Sequence, residues 1–143
     1  MKSTFIENKW PCHVPDRKMD EPFLVFDFAQ IVKTIKSEAA WHNGDRNAMT
    51  LLKNSNMSVV LIALKNNAEI NFHHAGRMAS VQILEGSVNF KTNDHSALLK
   101  TGGFLTLHEL VEHRLIAAEE SVILLTMTTI PSALSPAGNP SNL

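Results

Sequence analysis

The sequence predicts an all-β domain, either a sandwich or a barrel, preceded by a single helix. Short apolar runs separated by turn residues fill the chain after residue 43, and one segment with a helical period comes before them. Alternating βαβ units would need a helical segment between successive strands, which this order does not offer. The predicted strands span 49–53, 58–64, 80–84, 87–91, 104–107, 112–117 and 122–129. Turns are predicted at 54–56, 65–67, 85–86, 93–94 and 102–103.

The segment before the strands divides into an arm and a helix. Residues 1–26 are predicted to form an extended arm, because prolines and charges are scattered through them without a period. Residues 27–42 are predicted to form one amphipathic helix: Asp27 and Gln30 make a start that resembles a capping box, and apolar residues recur at helical spacing up to Trp41. The barrel is expected over residues 43–130. A flexible tail rich in proline, serine and asparagine is expected at 131–143.

Composition limits the classes of partner. The 143 residues and 44% hydrophobic content fit one domain with one core. Because 13 basic residues face 14 acidic ones, no strong field exists to recruit nucleic acid or an anionic membrane. The sequence has no run of about 18 apolar residues and no secretory signal, so a cytoplasmic protein is expected. The single Cys12 cannot form an intramolecular disulfide and is interpreted as a thiol without a role.

Two motifs carry the strongest signal. The first leads from Asn71-Phe72-His73-His74-Ala75 to Leu84-Glu85-Gly86, and the second from Gly102-Gly103 to His113. Together with the strand pattern they resemble the two motifs of the cupins, RmlC-like proteins built as double-stranded β-helix (jelly-roll) barrels. The resemblance covers residues 48–129 and implies such a barrel here, with the N-terminal helix and arm outside it.

The chain departs from the cupin pattern at the metal ligands. Counted back from Gly86, the first histidine of the usual pair is His73 and the second is replaced by Ala75; in the other register His74 is retained and Phe72 replaces its partner. Ala79 stands at the acidic position. In the second motif His108 and Leu110 stand where cupins have proline and glycine, and the terminal His113 is retained.

The resemblance therefore implies an incomplete site for a divalent transition metal such as Zn, Ni, Fe or Mn. His73 and His113 are the favoured ligands, with His74 and His108 as further candidates. Side chains alternate along a strand, so His73 and His74 cannot both face the interior of an extended strand. Two imidazoles fall short of the three protein ligands of a catalytic site. The set would have to be completed by His108 or His74 turned inward at a bulge, by Glu112, or by waters and a ligand. The alternative is a barrel interior that holds only water or a small organic molecule and no metal.

A ligand pocket inside the barrel is predicted from the strands beside these histidines. Val81, Ile83 and Leu115 are expected to face inward, with Met78 and Arg77 at the mouth. Such a lining suits a small, mostly apolar molecule that carries one carbonyl or carboxylate.

Three hypotheses of function are compatible with these motifs. The first hypothesis is a binding module for a small ligand or, weakly, a divalent metal; the alternative is a metal-dependent cupin enzyme of the dioxygenase or isomerase type. No complete catalytic motif occurs. A zinc-protease motif is excluded, because His108 and His113 are five residues apart rather than four. A metal-free enzyme with His113 as general base is a third possibility. The resemblance also implies a homodimer, to which the arm around Trp10 could contribute by covering a strand edge.

Overall fold

The computed structural model describes residues 21–72, 78–107 and 112–128, and within them the chain forms two helices and nine strands. Most of the predicted arm and the whole of the predicted tail lie outside these residues. The helices are α1 (Phe28–Lys36) and α2 (Ala39–Asn43). The strands are β1 (Arg46–Lys53), β2 (Met57–Leu64), β3 (Glu69–Phe72), β4 (Ala79–Glu85), β5 (Ser87–Lys91), β6 (Ser96–Lys100), β7 (Phe104–Leu107), β8 (His113–Ala117) and β9 (Ser121–Thr128).

The strands form two antiparallel sheets, which confirms the predicted all-β class. The larger sheet has the order β1-β2-β9-β4-β7 and the smaller one the order β3-β8-β5-β6. Every paired strand in both sheets is antiparallel. The neighbours of β8 and β9 come from distant parts of the sequence, so the chain crosses between the sheets as it does in a jelly roll.

Two strands have no counterpart among the predicted ones. In β6, four of five residues are exposed, so the run lacks the alternation that marks a half-buried strand. In β3, Ile70 and Phe72 are buried and alternate with more exposed residues, but the strand has only four residues. A pattern this short does not separate a strand from a loop on sequence grounds.

The predicted helix is divided in two. Asp27 caps α1 as expected, and its carboxylate accepts a hydrogen bond from the Gln30 amide at 3.3 Å. At the other end the Ser37 hydroxyl donates to the Thr34 carbonyl at 2.6 Å, which offers the backbone an alternative to a continued helix. Glu38 is extended and begins α2. Among the described residues no helix is long and apolar enough to cross a membrane.

Two apolar clusters lie on opposite sides of the larger sheet. The outer cluster fills the space between this sheet and the helices and contains Ile35, Trp41, Met49, Leu51, Leu61, Ala63 and Val122. The inner cluster lies between the two sheets and includes Ala48, Val60, Ile62, Leu64, Ala68, Ile70, Phe72, Val81, Ile83, Val88, Leu107, Leu115, Ala117, Ile123, Leu125 and Met127. Both faces of β2 are covered, which is why Val60 to Leu64 are all buried and form a continuous apolar run.

One end of the barrel is defined by the ends of several strands. β3 ends at Phe72 opposite His113, where β8 begins, and β5 ends beside it at Lys91. In the other sheet β4 begins at Ala79, opposite Leu107 of β7 and Met127 of β9. These strand ends lie at one end of the barrel, which is called the His113 end below.

Candidate functional site

His113 is the predicted site residue that the structure places most clearly. It begins β8, in which Leu115 and Ala117 are fully buried in the inner cluster. Because side chains alternate along a strand, His113 is on the same, inward face, and Arg114 is on the outward face. His113 is half-buried, whereas Arg114 is exposed. The imidazole therefore lies on the inner wall of the barrel at its His113 end.

Two aromatic residues flank this position. Phe72 of β3 is directly opposite His113 in the register and is 5% exposed. On the other side the ring centroids of Phe90 and His113 are 4.9 Å apart, with an angle of 35° between the planes. This tilted contact on the inner face limits the orientations of the imidazole. A histidine held in this way can exchange a hydrogen bond with a bound molecule or ligate a metal ion through a ring nitrogen.

The other predicted site residues are distributed differently. Val81, Ile83 and Leu115 are 0%, 1% and 0% exposed and belong to the inner cluster. Met78 is 50% exposed at the His113 end, where its amide donates to the Thr128 hydroxyl at 3.1 Å. His73, His74, Arg77 and His108 lie outside the described residues. The assignment of all these side chains to a ligand pocket stays a prediction.

The described residues alone do not make a metal site. Across 21–72, 78–107 and 112–128, no group of three histidine, cysteine, aspartate or glutamate side chains is close enough to hold an ion. Glu112 adjoins His113 in the chain and is exposed. Within these ranges the inner face at the His113 end thus carries one imidazole where a transition metal in a catalytic site has three protein ligands.

A cavity of about 350 Å³ lies beside His113. It is formed where β3 ends, where β8 begins and where the hairpin between β5 and β6 turns. Its lining consists of Asn71, Phe72, Lys91, Thr92, Asn93, Glu112, His113 and Arg114. Val81, Ile83 and Leu115 do not line it, so this cavity is distinct from the apolar interior of the barrel.

Several of these lining residues were missed by the sequence reasoning. Asn71, Lys91 and Arg114 come together because Arg114 pairs with both of the others across neighbouring strands. The only available signal was the alternation around His113, which assigns Arg114 to the outward face of β8. That signal does not give the strand order, which decides the neighbours of Arg114.

Solved structures resemble this chain at low sequence identity. A cupin-2 domain containing protein from Shewanella frigidimarina is 17% identical, with a TM-score of 0.58 and coverage of 71% of this chain and 92% of that one. An RmlC-like cupin from the same organism is 16% identical, with a TM-score of 0.56 and coverage of 64% and 82%. The cupin domain of Cnp3 from Schizosaccharomyces pombe is 15% identical, with a TM-score of 0.58 and coverage of 68% and 74%.

No protein-family model matches the chain, and no curated protein matches it. The likeness to the three solved structures is therefore a likeness of fold, and it agrees with the two antiparallel sheets and their crossed connections. The chain adopts the cupin jelly-roll fold.

Proposed function

We propose that this chain is a binding protein that takes up a small molecule or, weakly, a divalent metal ion at the His113 end of its barrel. The observation that carries the proposal is the position of His113. His113 is half-buried on the inner wall at the start of β8, its ring contacts Phe90, and it lines a cavity of about 350 Å³.

The packing of the barrel supports a site at this end and not deeper in the interior. Val81, Ile83, Leu115 and Leu125 are almost completely buried and belong to one inner cluster between the sheets. Interiors of this kind are close-packed and have few voids larger than a water molecule. The cavity at the His113 end falls within the usual range of ligand sites, about 300–1,000 Å³. A ligand is therefore expected to contact His113 at the mouth of the barrel.

Metal uptake is expected to be weak. His113 offers one imidazole, and the sequence names His73, His74 and His108 as the residues that would supply the others. A metal-dependent dioxygenase or isomerase would need a set of about three protein ligands with an open position. The replacement of one histidine by Ala75 or Phe72, and Ala79 at the acidic position, favour binding over such catalysis.

Elemental mass spectrometry tests the metal part of the proposal. Tag-free protein is exposed to manganese, iron, nickel and zinc, and the bound metal is compared with that in a His73→Ala/His113→Ala double variant. His42→Ala is the matched control, because His42 is an exposed residue of α2. Metal that is lost in the double variant and kept in the control would support the site. Equal metal in all three proteins would show that the binding does not depend on the barrel histidines.

Analysis of molecules that copurify with the chain tests the other part. Protein purified under native conditions is denatured, and the released small molecules are identified by mass spectrometry. A compound present with the parent and depleted in a His113→Ala variant would support uptake at the His113 end. If neither a compound nor a metal depends on His113, the proposal is wrong.

The predicted homodimer belongs to the same proposal. The segment just before α1 forms neither helix nor strand from residue 21 to 27, and its Phe23 and Val25 are 83% and 78% exposed. Apolar side chains of this size usually find a partner surface when they cluster. Light scattering at micromolar concentration is expected to give a dimer, and a Phe23→Ser/Val25→Ser variant is expected to shift it towards the monomer. A monomeric parent protein would contradict the dimer.

A further inference from the structure

We infer that the cavity beside His113 recognises the carboxylate or phosphate group of a small polar molecule, and that Lys91 and Arg114 bind this anion. The inference rests on the proposed function and deepens it, because it names the chemical class of the ligand and the residues that select it. Neither residue belongs to the two cupin-like motifs.

The register of the smaller sheet places three polar residues in one row. Arg114 of β8 pairs with Asn71 of β3 on one side and with Lys91 of β5 on the other. All three alternate with inward residues of their strands, namely Phe72, Phe90 and Leu115, and they therefore share the outward face. Neighbouring strands are about 4.8 Å apart, so the row brings two cationic side chains next to each other.

This arrangement places two like charges directly opposite each other. Like charges at paired positions of neighbouring strands destabilise a sheet unless an anion compensates them. Glu69 compensates only in part, because its Oε2 atom is 3.5 Å from Nη1 of Arg114 and solvent reaches both side chains, which are 49% (Arg114) and 39% (Glu69) exposed. Lys91 is half-buried, and it forms no ion pair with the part of the chain that the structure describes. A bound anion between Lys91 and Arg114 would relieve the repulsion.

The remaining lining adds hydrogen-bonding groups. Asn71 and Asn93 line the cavity, and the side-chain amide of an asparagine can both donate and accept hydrogen bonds. The turn that carries Asn93 is fixed by Thr92, whose hydroxyl accepts hydrogen bonds from the amides of Asp94 at 3.3 Å and His95 at 3.0 Å. Glu112 is the only carboxylate of the described lining. Two cations against one carboxylate leave one positive charge in the lining.

The charged and polar lining of this cavity indicates the chemical class of the ligand. One excess positive charge suits a ligand with one anionic group, and Glu112 with the two amides suits hydroxyl groups next to it. Phe72 is the one apolar residue of the described lining, so a mostly apolar ligand would leave the polar groups without partners. The best match is a small hydroxylated carboxylate or phosphate.

The test uses the full chain and three probes in an NMR titration of backbone amides. Gluconate is a hydroxylated carboxylate, sorbitol is an uncharged polyol of similar size, and inorganic phosphate is the second anion. We expect gluconate or phosphate at millimolar concentration to shift the amides of 71–72, 91–93 and 112–114, and sorbitol to leave them unchanged. Added sodium chloride should weaken the effect through screening.

Two variants and a control identify the residues responsible. Lys91→Met and Arg114→Gln are each expected to lower the affinity for the anion about ten-fold or more, because each variant loses a charge-assisted hydrogen bond. Lys100→Met is the matched control, because Lys100 is exposed at the opposite end of β6. Equal shifts with gluconate and sorbitol, no shift with either anion, or equal weakening by Lys91→Met and Lys100→Met would each overturn the inference.

His113→Ala separates this inference from the proposed function. If the anion binds in a Lys91-dependent way while no ligand or metal depends on His113, the anion site stands and the proposed function fails. If binding of a ligand is lost in His113→Ala but is unchanged in Lys91→Met and Arg114→Gln, the proposed function stands and the anion site is wrong.

Discussion

Gly86 and Gly102 end the first cupin-like motif and begin the second, and substitution by alanine should affect them very differently. Both have a positive backbone angle, with φ of 84° at Gly86 and 91° at Gly102. An alanine is strained at either position by about 1–2 kcal/mol. Part of this cost is offset because alanine has less conformational freedom than glycine in the unfolded chain. The backbone term is therefore nearly the same at the two sites.

The surroundings of the two glycines differ. A Cβ atom at Gly86 would collide with the carbonyl oxygen of Glu120 and the hydroxyl of Ser121, and would lie 2.8 Å from the Cα of Ser121. At Gly102 nothing lies within 4 Å of the added atom. The Ser121 hydroxyl cannot move freely, because it accepts from the Ser87 amide at 3.1 Å and donates to the Ser87 carbonyl at 3.0 Å.

These contacts set the expected magnitudes. Gly102→Ala should cost about 1 kcal/mol, the backbone strain less the gain from the unfolded state. Gly86→Ala should cost about 3–5 kcal/mol, because overpacking and disturbed buried hydrogen bonds add to the same strain. Urea denaturation followed by circular dichroism measures both free energies of unfolding. If the two variants lost the same stability, the steric explanation of the motif glycine would be refuted.

Two further predictions concern the start of β1, just after the helices. Asn47→Ala should destabilise the fold by about 2–4 kcal/mol, because the buried Asn47 side-chain amide donates to the Ile35 carbonyl and to the Glu38 carboxylate, both at 2.8 Å. Urea denaturation measures this loss. A loss below about 1 kcal/mol would show that these two hydrogen bonds do not stabilise the fold as argued. The hydrogen bond from Arg46 to Asp45, at 2.8 Å, lowers the pKa of the Asp45 carboxyl group. The pKa of Asp45 in the folded state is then below the unfolded value of about 3.9. The pairing with Arg46 therefore stabilises the fold above about pH 3.9, and this stabilisation is lost as the pH falls through the folded pKa. Asp45→Asn should therefore cost less than about 1 kcal/mol at neutral pH, and the cost should shrink in acid; a difference that stays constant with pH would argue against this pairing.

The sequence was sufficient to predict the fold class, because its turn residues and its apolar runs both agree with the strands that the structure contains. The turn at Gly86 and the two-sided burial of β2 both leave clear patterns, a glycine between two strand-like runs and an unbroken apolar run. The division of the helix at Ser37 was not foreseen, since a serine hydroxyl inside an apolar helical period does not by itself end a helix. The strand β6 was missed because its exposed residues do not alternate.

The sequence could predict the position of a site residue only where the alternation within a single strand is enough to place it. The inward position of His113 follows from its spacing to Leu115 and Ala117 on β8. The row of Asn71, Arg114 and Lys91 depends instead on the order and register of three strands that are far apart in the sequence. Alternation assigns each residue to a face, but it cannot say which strands are neighbours.

The most direct test of the proposed function is to map where small molecules bind on the ¹⁵N-labelled chain. A fragment library that contains neutral compounds, carboxylates and phosphates is screened by the shifts of assigned backbone amides, with His113→Ala as the comparison. Compounds that bind are expected to shift amides at the His113 end, around Phe72, Phe90 and His113, and these shifts should decrease in the variant. Shifts that cluster at the opposite end, around Asn67 and Ala118, or shifts that His113→Ala leaves unchanged, would contradict uptake at the His113 end.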